Sequence, residues 1–126
     1  MNKLAIIGRI LFALPFGIMG LNHFLMQNYF LGMMTSFIPG GAYTILITGF
    51  LLLMACFFII INRFMKTVCF SLAGLLFIFI ITIHIPGLYT SNWQIALIDL
   101  LKDTGLMGGA IMIALYSDSF KVELNN

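Results

Sequence analysis

The sequence predicts an all-α protein: a four-transmembrane-helix bundle with both termini on the cytoplasmic side and an apolar interfacial or re-entrant segment between helices 1 and 2. Three observations carry this reading. The chain has 126 residues, 62% of them apolar and 8% charged, and so little polar surface cannot cover a water-soluble globule of this size. Residues 41–61 and 67–86 are charge-free runs long enough for ~30 Å of hydrocarbon at ~1.5 Å per residue. Lysine and arginine, finally, are divided unevenly between the two ends of the predicted helices.

The first span covers roughly residues 4–23, or 10–30 if it starts later. Lys3 followed by an apolar run imitates a secretory signal, but Arg9 interrupts the run and no small-x-small cleavage site follows, so the segment reads as a retained helix. Pro15 removes one backbone hydrogen bond and predicts a kink; Gly8, Gly17 and Gly20 offer surface for close helix packing. Residues 24–40, with Met26, Tyr29, Phe30, Met33, Met34, Phe37 and Ile38, are too apolar for a free loop. They continue the first helix, lie in the interface, or fold back toward the bundle. Pro39-Gly40-Gly41 ends them with strong turn chemistry.

Span two is 41–61 and span three 67–86, the latter closed by Pro86-Gly87. Ser91-Asn92 can cap a helix beginning near Trp93, and Tyr89 and Trp93 suit the headgroup belt. The fourth span, 96–117, reaches sufficient length only by taking in Asp99, Lys102 and Asp103. The whole of 1–126 reads as one integral membrane domain.

Charge sets the orientation. Lys3, Arg9, Arg63, Lys66 and Lys121 fall at one end and only Lys102 at the other, so the basic end faces the cytoplasm. A net charge of +2, small and dispersed, gives no basis for nucleic-acid binding. Cys56 and Cys69 are too few for a disulfide framework and form no CxxC pair, which argues against a thiol–disulfide enzyme.

Residues capable of acid–base or ligand chemistry gather at the end opposite the bases: His23, His84, Asp99, Lys102 and Asp103. Counting ~1.5 Å per residue from Arg9, His23 lies about 21 Å up the first helix. From Asp118, Asp103 lies about 22 Å up the fourth, Lys102 about 24 Å and Asp99 about 28 Å. From Lys66, His84 lies about 27 Å up the third, and from Arg63, Thr48 about 22 Å and Thr44 about 28 Å up the second. The reading is a deeper pair, His23 with Asp103, beneath a rim of His84, Asp99 and Lys102. Asp99, Lys102 and Asp103 share one face at i, i+3 and i+4, with one negative charge in excess that a protonated histidine balances. The alternative for Asp99, Lys102 and the histidines is a solvated first turn and interfacial side chains satisfied by water. Arg9 reads as an anchor or lipid contact, or a partner of Asp118. Gly105 and Gly109 form a GxxxG spacing that predicts packing of span four on another helix or on a second subunit. Scattered ligands with no short motif predict no metal site.

These residues resemble the DoxX-like family of small four-helix membrane proteins, from about Arg9 to Ala114. The likeness runs through Arg9; Gly20-Leu21-Asn22-His23-Phe24; Phe37-Ile38-Pro39 leading to Thr48-Gly49; His84-Ile85-Pro86; and Leu101-Lys102-Asp103 followed by Gly108-Gly109. Many relatives carry a glutamate shortly after the span-two glycine, where this chain has Phe50, Leu51 and Leu52. The resemblance implies a bacterial cytoplasmic (inner) membrane and association with quinone-linked redox or oxidative-stress systems.

Three functions follow as expectations. The first is a redox-accessory subunit holding a quinone headgroup in the outer polar layer, where a His–carboxylate pair accepts protons and apolar walls suit an isoprenoid tail. No haem, flavin or iron–sulfur motif is visible, so electrons require a redox partner protein. The second is a binding or transport module for a small amphipathic solute, a proton or a metal ion. The third is a non-catalytic assembly partner using the Gly105–Gly109 face, as a homo-oligomer through helix 4 or with another protein.

Overall fold

The computed structural model describes the backbone of residues 2–33 and 39–125 and the side-chain surroundings of 3–32 and 39–117. Met34, Phe37 and Ile38, and the side chains of Met33, Asp118 and Lys121, lie outside the described residues.

Among the described residues all regular structure is helical: α1 (Asn2–Leu25), α2 (Gln27–Met33), α3 (Ala42–Ile60), α4 (Met65–Phe79), a π-helical turn (Ile80–His84), α5 (Ile85–Gly87) and α6 (Trp93–Asn125). Three stretches are long and apolar enough to cross a membrane: Lys3–Leu25, Ala42–Ile60 and Met65–Gly87. The segment 96–117 is helical within α6, but Asp99, Lys102 and Asp103 make it less apolar than the other three. Helix α1 continues unbroken through Pro15, and the chain instead interrupts the helix at Met26. There α2 begins, packing on α3 and α1, so 27–33 folds against the bundle.

The helices associate as two pairs, α1 with α3 and α4 with α6, and these pairs meet less extensively, chiefly between α3 and α4. Each helix contributes a narrow stripe. On α1 it is Ala13, Phe16, Gly20 and His23; on α6 it is Asp103, Ala110, Ala114 and Ser117, all buried. Steps of three, four and seven residues keep these positions on one helix face. Aromatic and branched side chains outside the stripes, such as Leu11, Phe50, Phe77 and Leu115, are exposed. That is the expected distribution where lipid replaces water around the bundle.

Glycine permits the closest approach. A Cβ at Gly49 would lie 2.7 Å from the His23 Cβ and 3.0 Å from the Gly20 carbonyl oxygen, and a Cβ at Gly20 would lie 2.8 Å from the Gly49 carbonyl oxygen. Helices α1 and α3 therefore touch backbone to backbone, which in lipid replaces the missing hydrophobic drive by dispersion contact.

The connections explain their sequences. Gly40 has φ 94° and Gly41 φ 52°, conformations that follow from the Pro39-Gly40-Gly41 turn and that favour glycine. The Thr44 hydroxyl donates to the Pro39 carbonyl across this turn. Helix α3 ends in a Schellman motif: Asn62, at φ 58°, donates its N–H to Ile59 O (3.2 Å) and Arg63 donates to Phe58 O (3.0 Å). Phe64 enters α4 at φ 54°, unusual for a bulky residue. It is held edge-on to Phe58 at 5.6 Å, with the Arg63 guanidinium 5.9 Å from its ring centroid.

Replacing Gly49 by valine puts a Cβ against His23 and the Gly20 carbonyl, and is expected to destabilise the bundle by about 2 kcal/mol or more. Gly105→Val, at a site where a Cβ meets nothing within 4 Å, is the control. Reversible unfolding of both variants in mixed micelles checks this; equal behaviour of the two would contradict the close α1–α3 contact.

Candidate functional site

The buried ionisable pair of this structure is His84 with Asp103. His84 Nε2 stands 2.7 Å from Asp103 Oδ2, with both residues less than a tenth exposed. A carboxylate oxygen only accepts, so Nε2–H donates and Nδ1 carries the lone pair of the neutral ring. Asp103 thereby fixes the tautomer of the ring. Nδ1 has no hydrogen-bond partner among the described residues.

The local fold aims His84 at α6. Leu76 lies on the packing stripe of α4. Eight α-helical residues further on, His84 would stand about 80° round from it at ~100° per residue. The π turn takes up one extra residue, with the Ile85 N–H bonding to Ile80 O, and returns His84 to within about 20° of the stripe. Next to it, a Cβ on Gly87 would lie 2.9 Å from the Ala96 Cβ, so glycine lets α5 close on α6. Ala96 and Asp103 are seven residues apart on one face, and the two contacts form a single seam.

The predicted pairing of His23 with Asp103 is therefore corrected: His84 moves from the rim into the pair. His23 is buried in the other helix pair. Its Nδ1 donates to Met19 O at 2.7 Å, and its ring stacks on Phe30 of α2 with centroids 4.0 Å apart and planes at 18°. The depth count placed His23 and Asp103 at one height but carried no information about which helices touch. The π turn was the missed feature. Its signal was present in the spacing of Leu76, Ile80 and His84, two successive four-residue steps that drift off an α-helical seam.

Asp99 and Lys102 form an ion pair with each other. Lys102 Nζ is 3.7 Å from Asp99 Oδ1, with the lysine side chain 46% exposed. Asp99 lies one turn from Asp103 on the same face. Thr48 is among the buried residues of α3. Gly109 faces α1, where a Cβ would touch the Phe12 ring at 3.4 Å, whereas Gly105 faces no neighbour. Four residues apart, the two glycines lie within about 40° of one another on α6, but only Gly109 has a neighbour within reach of a Cβ.

Arg9 reaches the C-terminal end of α3. The Schellman motif satisfies the carbonyls of Phe58 and Ile59 and leaves that of Ile60, which accepts from Arg9 Nη2 at 3.3 Å. A positive charge at a helix C-terminus also suits the helix dipole. Among the described residues no three His, Cys, Asp or Glu side chains gather as a metal-binding group. Comparison with family models, with curated proteins and with solved structures finds no match.

A double-mutant cycle distinguishes the two histidines. His84→Ala with Asp103→Ala should show a coupling of about 1–2 kcal/mol, the upper range for hydrogen bonds inside membrane bundles. His23→Ala with Asp103→Ala should add within about 0.5 kcal/mol. Coupling to His23 instead of His84 would reverse the assignment.

Proposed function

We propose that this chain crosses a bacterial inner membrane four times, both termini inside, as an accessory subunit of a quinone-linked redox system, and that His84 is its proton acceptor. The single observation that carries the reading is the buried His84–Asp103 pair at 2.7 Å, with Nδ1 left for a ligand.

The chemistry is that of a quinol. Oxidising a quinol to a quinone removes two electrons and two protons. His84 Nδ1 takes one hydroxyl proton as general base, Asp103 stabilises the imidazolium that results, and the second proton leaves through water. The electrons pass to a partner protein, because this chain has no sequence motif for a redox centre. Exposed apolar surface such as Phe77, Ile81 and Leu101 suits an isoprenoid tail. The fourth crossing is α6, which packs along α4. Its charged residues cost less where Asp103 is paired inward and Lys102 reaches the interface.

A second reading, a proton or small-solute module, draws support from the Asp99–Lys102 rim one turn from Asp103, since such a rim supplies protons from outside.

The test is mass spectrometry of the protein extracted in native lipid, followed by titration with a short-tailed quinone analogue. Quinone is expected to copurify with the wild type and with His23→Ala, and to be lost, with at least about tenfold weaker analogue binding, from His84→Ala and Asp103→Ala. Absence of quinone together with unchanged analogue binding in His84→Ala rejects the redox reading. Proton flux into proteoliposomes that is abolished by Asp99→Asn would then establish the second.

A further inference from the structure

At the basic end, Arg9 uses one of its five N–H donors on the Ile60 carbonyl. Its Nε is buried and has no hydrogen-bond partner among the described residues. A buried donor on a cation with no acceptor is costly, so an acceptor from outside these residues is called for. The same corner holds two further bases, since Ile60 is followed by the tight turn that carries Arg63 and leads to Lys66 in the first turn of α4. Both side chains are exposed. Helix α4 begins at Phe64 with no side-chain cap, which leaves its first N–H groups and positive dipole end directed to the same region. Phe57 and Phe64, both more than half exposed, flank the corner with apolar surface.

We infer that Arg9, Arg63 and Lys66 form a binding site for the phosphate of an anionic phospholipid. Guanidinium donors match phosphate oxygens in a fork. The uncapped N–H groups of α4 add neutral donors, and the exposed phenylalanines lie where acyl chains begin. Basic pockets of this kind between helices, at the end facing anionic lipid, select headgroups by charge. The ligand chemistry is a phosphate with an apolar tail, and the tail separates it from free phosphate.

Native mass spectrometry of the full chain, titrated with phosphatidylglycerol or phosphatidylcholine of the same acyl chains, reads the site. The wild type is expected to retain the anionic lipid roughly tenfold better. Arg9→Gln should lose that preference, and Arg63→Gln and Lys66→Gln, exposed positions whose substitution leaves the fold intact, should each reduce it several-fold. Lys3→Gln, which removes the same charge elsewhere on the basic end, should leave it in place. Equal retention of both lipids by the wild type, or equal losses in Lys3→Gln and Arg63→Gln, would overturn the site in favour of general charge attraction. Displacement of the bound lipid by inorganic phosphate at comparable concentration would overturn the lipid in favour of the free ion.

Discussion

A chain surrounded by hydrocarbon must satisfy its own polar groups, and the rest of this structure follows from that constraint. The backbone answers first, by coiling into helices. Side chains inside them then bond to carbonyls of their own helix: Thr82 to Ile78, Thr104 to Leu100, Ser117 to Ala114, and the His23 ring to Met19. Where a helix ends, the surplus carbonyls are taken up by the Asn62 turn and by Arg9. The groups too strongly polar for this local solution are a histidine ring and a carboxylate on different helices, and they solve the problem by meeting. His84 and Asp103 are the point at which local satisfaction gives way to a tertiary contact.

That contact draws on features spread along the chain. Glycine at 87 lets α5 close on α6, a π turn rotates His84 onto the seam, and alanines at 110 and 114 keep α6 flush with the core further down. The π turn is also the feature that most plainly sacrifices regularity. Such turns are rare in helices and frequent at functional sites, and here the turn re-aims the side chain that meets Asp103. On the other side of the bundle, Gly20 and Gly49 bring α1 and α3 into backbone contact and enclose His23 beneath Phe30. Two buried histidines thus have opposite characters. His23 is held by its own helix and an aromatic cover, and His84 by a charge on a neighbour.

The helices and their turns were legible from composition and turn residues. Charge-free runs located α3 and the 65–87 helix, Pro39-Gly40-Gly41 marked a turn that needs positive φ, and Ser91-Asn92 placed the start of α6 within a residue. The break at Met26 was not legible, because neither proline nor glycine marks it. Of the site, the residue types and their common end of the bundle could be read, since spacing along a helix converts directly into height. Partner choice could not. Height is a one-dimensional quantity, and His23, His84 and Asp103 all fell within a few residues of one level.

The sequence by itself therefore determined that the chain is helical and that its ionisable groups separate into a basic end and a mixed end, and of the four spans it predicted, three are long and apolar enough for a bilayer. These depend on local composition and on periods of one helix. Only the tertiary structure decided that Asp103 belongs to His84, that Arg9 closes α3, and that Gly109 has a neighbour within reach of a Cβ while Gly105 does not. Each depends on which helices are neighbours and how each is rotated about its axis. Rotation is set by packing of small residues and, at His84, by one extra residue in a turn.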